Sequence, residues 1–300
     1  MPRAMEPTEH STRAPDPPTA AIGAVLARAV GAPAGAAVPL QAPPALESWP
    51  GVVHGGAVAA LLDLLAGDAG APRGPRAMEA RLTTAVPTTT ALTVERRAAP
   101  GAVALTIARA GSLLVSATVS AGWTPATPAW PGGDGGLALP TSERCLACGE
   151  ANPVGLRVRL RFDGCGVWAT LDPPPTWLEA GRPHAALAPV LLDEVAWWLG
   201  ALTMGEGGVT NRLALGLAAE DAPVSGPLVA AGRLAEVAPI DRRRTFWRTT
   251  VALADRTGAV LAAGTVVFRG GVEYSGAQLG YFRARTPPAT FARMFPRYAG

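Results

Sequence analysis

The chain has no lysine. Its 26 basic side chains are all arginine, set against 23 acidic ones for a net charge of +3 over 300 residues. The arginines are scattered, so the pI of 9.1 does not come from the continuous basic face that binding to nucleic acid requires. Three cysteines are too few, and odd in number, for a disulfide framework. The N-terminus also lacks a basic stretch followed by an apolar one, and together these features predict a cytoplasmic protein. Only 16% of residues are charged and mean hydropathy is +0.22. Even so, no uninterrupted apolar run reaches the roughly 20 residues of a membrane span. The most apolar segment, 187–204, carries Asp193 and Glu194 near its middle. Charges there are costly in lipid, so it reads as a helix buried in protein, and no membrane partner is expected. There is no phosphate-cradling loop, no glycine-rich dinucleotide fingerprint and no Gly-x-Ser-x-Gly elbow. Their absence argues against nucleotide hydrolases, Rossmann dehydrogenases and serine esterases.

What the chain does have is glycine and proline, 35 and 30 residues, concentrated at the ends and in one central stretch. Residues 1–20 read as a disordered tail, 124–144 as a Pro/Gly-rich linker and 275–300 as an irregular C-terminal arm. The two segments between, 21–123 and 145–274, repeat one another. The first holds His54-Gly-Gly-Ala-Val-Ala-Ala-Leu-Leu-Asp63 and the second His184-Ala-Ala-Leu-Ala-Pro-Val-Leu-Leu-Asp193. A tryptophan precedes each histidine, Trp49 and Trp177. Downstream, Pro87 to Leu92 matches Pro223 to Leu228, and Gly111 to Val119 matches Gly258 to Val266. The order is kept and the separations grow along the chain, as lengthening loops would produce.

Each segment reads as one long helix followed by strands. The helices, 55–66 and 186–204, are apolar around their whole circumference and should be buried. Alternating patterns predict strands at 82–86, 91–95, 102–107 and 113–119. In the second segment they fall at 157–162, 167–171, 212–217, 228–234, 246–253 and 260–268. A buried helix wrapped by antiparallel strands is an α+β unit.

The stretch from Trp49 to Asp63 resembles the hot-dog fold and, within it, the PaaI-like acyl-CoA thioesterases. In the second segment, Cys145-Leu-Ala-Cys148-Gly-Glu-Ala-Asn152-Pro-Val-Gly155-Leu156 resembles a lead-in common to such domains, and His184 to Glu194 resembles the helix start. The resemblance implies two fused hot-dog domains, each an antiparallel sheet wrapped around one long helix. It further implies pairing of the two sheets edge to edge as an internal pseudo-dimer, with active sites where the units meet. Oligomerisation beyond one chain is left open.

Hydrolysis of a thioester needs a base or nucleophile beside the carbonyl and N–H donors for the oxyanion. Gly55 and Gly56 fall at a helix N-terminus, where free amides and the positive end of the dipole concentrate. By resemblance Asp63 is the carboxylate that attacks the carbonyl or activates water, and His54 orients the helix start. The second motif replaces the glycines with Ala185 and Ala186 while keeping His184, Asp193 and Glu194, and so reads as either degenerate or active. Thr83, Thr84, Asn211 and Arg212 are candidate polar residues from the partner unit. The Cys145-x-x-Cys148 pair lacks a second pair of metal ligands, Cys165 and His184 being the nearby candidates, and the resembling lead-in uses the motif without metal. No cofactor or metal is expected. Trp197, Trp198 and Met204 read as core or acyl-tunnel lining. Arg242 to Arg244 read as a solvated turn or as a phosphate contact. The function expected is hydrolysis of an acyl-CoA or other acyl thioester. The alternatives are a non-catalytic acyl-CoA binding protein and a hydratase or dehydratase, which would pair a histidine with an acid across the site.

Overall fold

The computed structural model describes residues 20–33, 37–124 and 135–299. The predicted tail up to residue 19, and 125–134 of the predicted linker, lie outside the described residues. Helix α1 (Ile22–Ala29) leads into strand β1 (Ala37–Leu40) and then into helix α2 (Gly55–Asp68). Alanine and leucine dominate α2 and favour helix. Helix α3 (Leu187–Met204) places Pro189 in its first turn, where the missing N–H has no consequence. It ends at Gly205, whose φ of 68° makes a left-handed cap. By length and composition α3 could cross a membrane, yet most of it is enclosed within the protein.

The strands of the first half are β1, β2 (Arg76–Leu82), β3 (Leu92–Ala99), β4 (Ala102–Arg109) and β5 (Ser112–Ala121). Those of the second half are β6 (Gly166–Leu171), β7 (Gly208–Leu217), β8 (Leu228–Arg233), β9 (Phe246–Ala254) and β10 (Val260–Gly270). They run β1-β3-β4-β5-β2 and then β7-β10-β9-β8-β6 within one thirteen-stranded sheet. The second order mirrors the first. The halves join where β2 pairs antiparallel with β7, from Arg76 opposite Leu217 to Arg81 opposite Arg212. That junction leaves neither central strand with an unpaired edge.

The repeated blocks fall on equivalent places. Leu92 and Leu228 open β3 and β8, while Gly111 and Gly258, at φ 81° and 87°, turn the chain into β5 and β10. Both positions demand a residue that tolerates positive φ.

Four local expectations need correction. Residues 82–86 are not a strand, because β2 ends at Leu82. The true strand alternates charged with apolar residues and buries Arg76, which hides its pattern. Only Arg161–Phe162 of 157–162 is strand. Trp49 and Trp177 are not counterparts. The His54 N–H donates to the Leu46 carbonyl and the His184 N–H to that of Trp177, each at 2.8 Å, so Trp177 corresponds to Leu46. The C-terminal arm is also regular, forming α4 (Val272–Arg283) and α5 (Pro288–Met294). Gln278 on α4 accepts from Gly208 N at 2.7 Å and donates to Gly208 O at 3.0 Å, fixing the arm to the start of β7. Phe282 packs edge-on against Trp49 and Trp197, with centroids 5.4 and 6.0 Å apart.

Candidate active site

Each central helix begins with a histidine that caps its own first turn. His54 Nδ1 lies 3.1 Å from Gly56 N, and His184 Nδ1 lies 3.1 Å from Ala186 N. The helices cross at these tips. A Cβ on Gly56 would lie 2.3 Å from the Pro189 carbonyl oxygen and 2.5 Å from Val190 Cα. Glycine is therefore required for α2 and α3 to come this close. One on Gly55 would meet the Asp193 carboxylate at 2.8 Å.

The expectation that Asp63 shares a site with Gly55 and Gly56 does not hold. Seven residues of helix advance about 10 Å, too far for an acid to serve its own helix tip. The crossing supplies the partner helix's acid instead. Asp193 of α3 sits at the tip of α2, where its Oδ2 accepts from Gly56 N at 2.8 Å and its Oδ1 from Thr210 Oγ1 at 2.6 Å. His54 lies between the two acids of α3, with Nδ1 3.2 Å from Asp193 Oδ2 and Nε2 3.2 Å from Glu194 Oε2. Cys145 Sγ donates to the same Glu194 oxygen at 3.7 Å.

His54, Cys145, Asp193 and Glu194 line a cavity of about 340 Å³. Thr83, Thr84, Thr210 and Asn211 add polar groups to its wall, and Trp49, Trp197, Trp198 and Phe282 form an apolar side. Gly55, the first helical residue, also faces the cavity. Its N–H precedes the first intrahelical bond and points ahead of the helix.

Burial perturbs Asp193, His54 and Cys145. Desolvation lifts Asp193 above its ordinary 3.8, partly offset by His54, Thr210 and Gly56. A carboxylate so raised is a stronger base than one in water. Burial alone would lower His54, but its hydrogen bonds to Cys145 and Glu194 and the charge of Asp193 prevail, holding it well above 6.5. Gly56 N–H is shared between His54 Nδ1 at 3.1 Å and Asp193 Oδ2 at 2.8 Å. Burial also raises the Cys145 thiol, whereas hydrogen bonds with Cys148 and His54 bring it down to about 7.

The other helix tip differs. Arg76, at the start of β2, grips Asp63 with Nε to Oδ1 at 2.7 Å and Nη2 to Oδ2 at 2.5 Å. Arg76 thus stands toward Asp63 as Thr210 stands toward Asp193. Glu220 lies 3.4 Å from Arg76 Nη2. The cavity beside His184 and Ala185 is smaller, about 150 Å³. Burial lowers His184 below its ordinary 6.5 despite nearby Glu179.

Other candidate residues lie elsewhere. Arg212 pairs with Glu79 at 2.7 Å on the exposed side of the sheet. Arg242 to Arg244 form an exposed turn in which Arg244 lies over the Trp247 ring at 4.8 Å. Met204 stays outside the cavity wall, with its sulfur close to Gly270. Thr210 was not foreseen, although it adjoins Asn211, and its only sequence signal was its place at the start of a strand after the helix.

No protein-family model matches the chain, and a search of curated proteins gives no match. Solved structures do match. A conserved protein of unknown function with the hot-dog fold from Alicyclobacillus acidocaldarius aligns with TM-score 0.58 at 15% identity, over 81% of this chain and 96% of that one. The tesB protein of Mycobacterium avium subspecies paratuberculosis gives 0.58 at 12%, over 83% and 99%. The dehydratase domain of RzxB from Pseudomonas fluorescens gives 0.53 at 17%, over 78% and 94%. Taken with the antiparallel sheet curled around long central helices, these alignments establish that the chain has the hot-dog fold.

Proposed function

We propose that the protein hydrolyses acyl thioesters at the composite site formed by the α2 tip and Asp193. The observation that carries this reading is the meeting of a buried, basic carboxylate with helix-tip amides, Asp193 Oδ2 lying 2.8 Å from Gly56 N, in a cavity with one apolar wall. A carbonyl oxygen entering there takes the Gly55 N–H, which is worth most where water is excluded. Asp193, held by Gly56 N–H and made more basic by burial, removes a proton from water while the water oxygen attacks the carbonyl carbon. Collapse of the tetrahedral oxyanion breaks the C–S bond, and the thiolate departs without an acid because its conjugate thiol has a pKa of roughly 8.5. A cavity of about 340 Å³ is at the small end for ligand sites. It suits the acyl end of a substrate, with a carrier such as coenzyme A left outside.

Release of free thiol from a panel of acyl-CoA substrates tests the reading. Asp193→Asn should lose about 10²–10⁴-fold in kcat, while Asp63→Asn keeps its activity. Equal turnover by Asp193→Asn and wild type would falsify it. A second reading, hydration or dehydration of an acyl thioester, draws on the histidine that faces acids of the other half, His54 Nδ1 to Asp193 at 3.2 Å. An enoyl thioester distinguishes the two, since hydration adds water across the double bond and frees no thiol.

A further inference from the structure

The hydrolytic mechanism does not use the Cys145-x-x-Cys148 pair. Its loop folds into a tight turn in which Gly149 N donates to Cys145 O at 2.9 Å. A Cβ at Gly149 would lie 2.5 Å from the carbonyl oxygens of Cys145 and Glu143, so only glycine follows the second cysteine. The turn faces both thiols inward, 3% and 4% exposed, and Cys148 Sγ accepts from Ser142 N at 3.4 Å. Leu146 N anchors the loop to Glu47 O at 2.7 Å.

His54 and Glu194 stand opposite the thiols. The donor atoms of His54, Cys145 and Glu194 all lie within 4.8 Å of one another, and all three residues are buried. Tetrahedral zinc with bonds of about 2.0–2.3 Å places its ligand atoms roughly 3.3–3.8 Å apart. The pairs here are separated by 3.2 Å, from His54 Nε2 to Glu194 Oε2, and by 3.7 Å, from Cys145 Sγ to Glu194 Oε2. His54 Nδ1 lies 3.2 Å from Asp193, the carboxylate–histidine arrangement that orients metal-bound imidazoles. A mixed sulfur, nitrogen and oxygen set suits zinc over magnesium or calcium. Of the other candidate ligands, Cys165 is exposed and His184 caps the other helix. The fold supplies His54 and Glu194 instead.

We propose that His54, Cys145 and Glu194 form a zinc site whose fourth position opens onto the cavity they line. The ion would tie the lead-in loop of the second half to the tip of α2 and to the middle of α3. The proposal does not depend on the hydrolytic reading.

The test uses the full chain, reduced and purified without chelator. Elemental analysis and competition against a chromophoric chelator should find one zinc per chain. Cobalt(II) put in its place should show thiolate-to-metal charge-transfer absorption, lost in Cys145→Ser. Glu194→Gln should weaken zinc binding tenfold or more, while Cys165→Ser binds as wild type. The wild-type stoichiometry and cobalt spectrum stand even if a variant fails to fold. Less than a tenth of an equivalent of zinc bound by reduced wild type overturns the proposal. So does undiminished zinc affinity in folded Cys145→Ser or Glu194→Gln.

Discussion

Gly56→Ala offers a quantitative test of how the two central helices meet. The added methyl would sit 2.3 Å from Pro189 O and 2.5 Å from Val190 Cα. Both are backbone atoms of α3, so no side-chain rotation relieves the contact. Carbon contacts are comfortable only near 3.5–4.0 Å, so the helices must part by about 1 Å. Overpacking of this kind costs about 1–3 kcal/mol. Alanine's better helix propensity returns at most about 1 kcal/mol, and less in a first turn. A net loss of about 2 kcal/mol should lower Tm by about 3 °C for a chain of this size. Gly55→Ala is the control. Its methyl meets Asp193 Oδ2 at 2.8 Å and Thr210 Cβ at 3.0 Å, side-chain atoms that can give way. Its Tm should stay near wild type while thioester turnover falls, because the carboxylate is displaced. Thermal melts followed by circular dichroism decide the matter. A Gly56→Ala protein that melts at or above wild type refutes the helix contact.

Other substitutions probe the second tip and the arm. Arg76→Met leaves the Asp63 carboxylate buried without its partner and should cost about 3–5 kcal/mol. Urea unfolding should show Asp63→Asn restoring much of that loss in the double variant, and no loss in Arg76→Met would refute the pairing. Burial holds His184 below 6.5, so the unfolded chain binds its proton more readily. The corresponding stability is complete above 6.5 and fades as pH falls from there through the folded-state value. His184→Gln should therefore narrow the gap between urea midpoints at about pH 7.5 and pH 5.5, and an unchanged gap would count against this. Phe282→Ala removes a ring 3% exposed that covers Trp49 and Trp197, and should cost about 3–5 kcal/mol. An unfolding free energy within about 1 kcal/mol of wild type would show that α4 does not seal the cavity.

The repeat made the fold readable. Gly111 and Gly258 match because two equivalent turns need positive φ, and the two apolar helices match because each fills the hollow of its own sheet. The strand at the junction escaped because Arg76 places a charge on the inward face of its alternation, buried there only because Asp63 receives it. The site was legible as a set of residues but not as an arrangement. Spacing along a helix places Asp63 on the same side as Gly56, but says nothing of the second helix that crosses at the glycines and brings Asp193 there. Cys145 and His54 are separated by most of a domain in sequence, and only the tight turn ending at Gly149 carries the thiols to the histidine.

The mirrored sheet also frees the protein from a constraint that governs identical subunits. When two copies of one short chain associate about a twofold axis, every substitution enters both pockets, and an arginine clamped on the acid would fill the pair together. Here each half is encoded separately. Arg76 can fill one pocket and stiffen it while the other keeps its acid open, and selection can act on either without touching its twin.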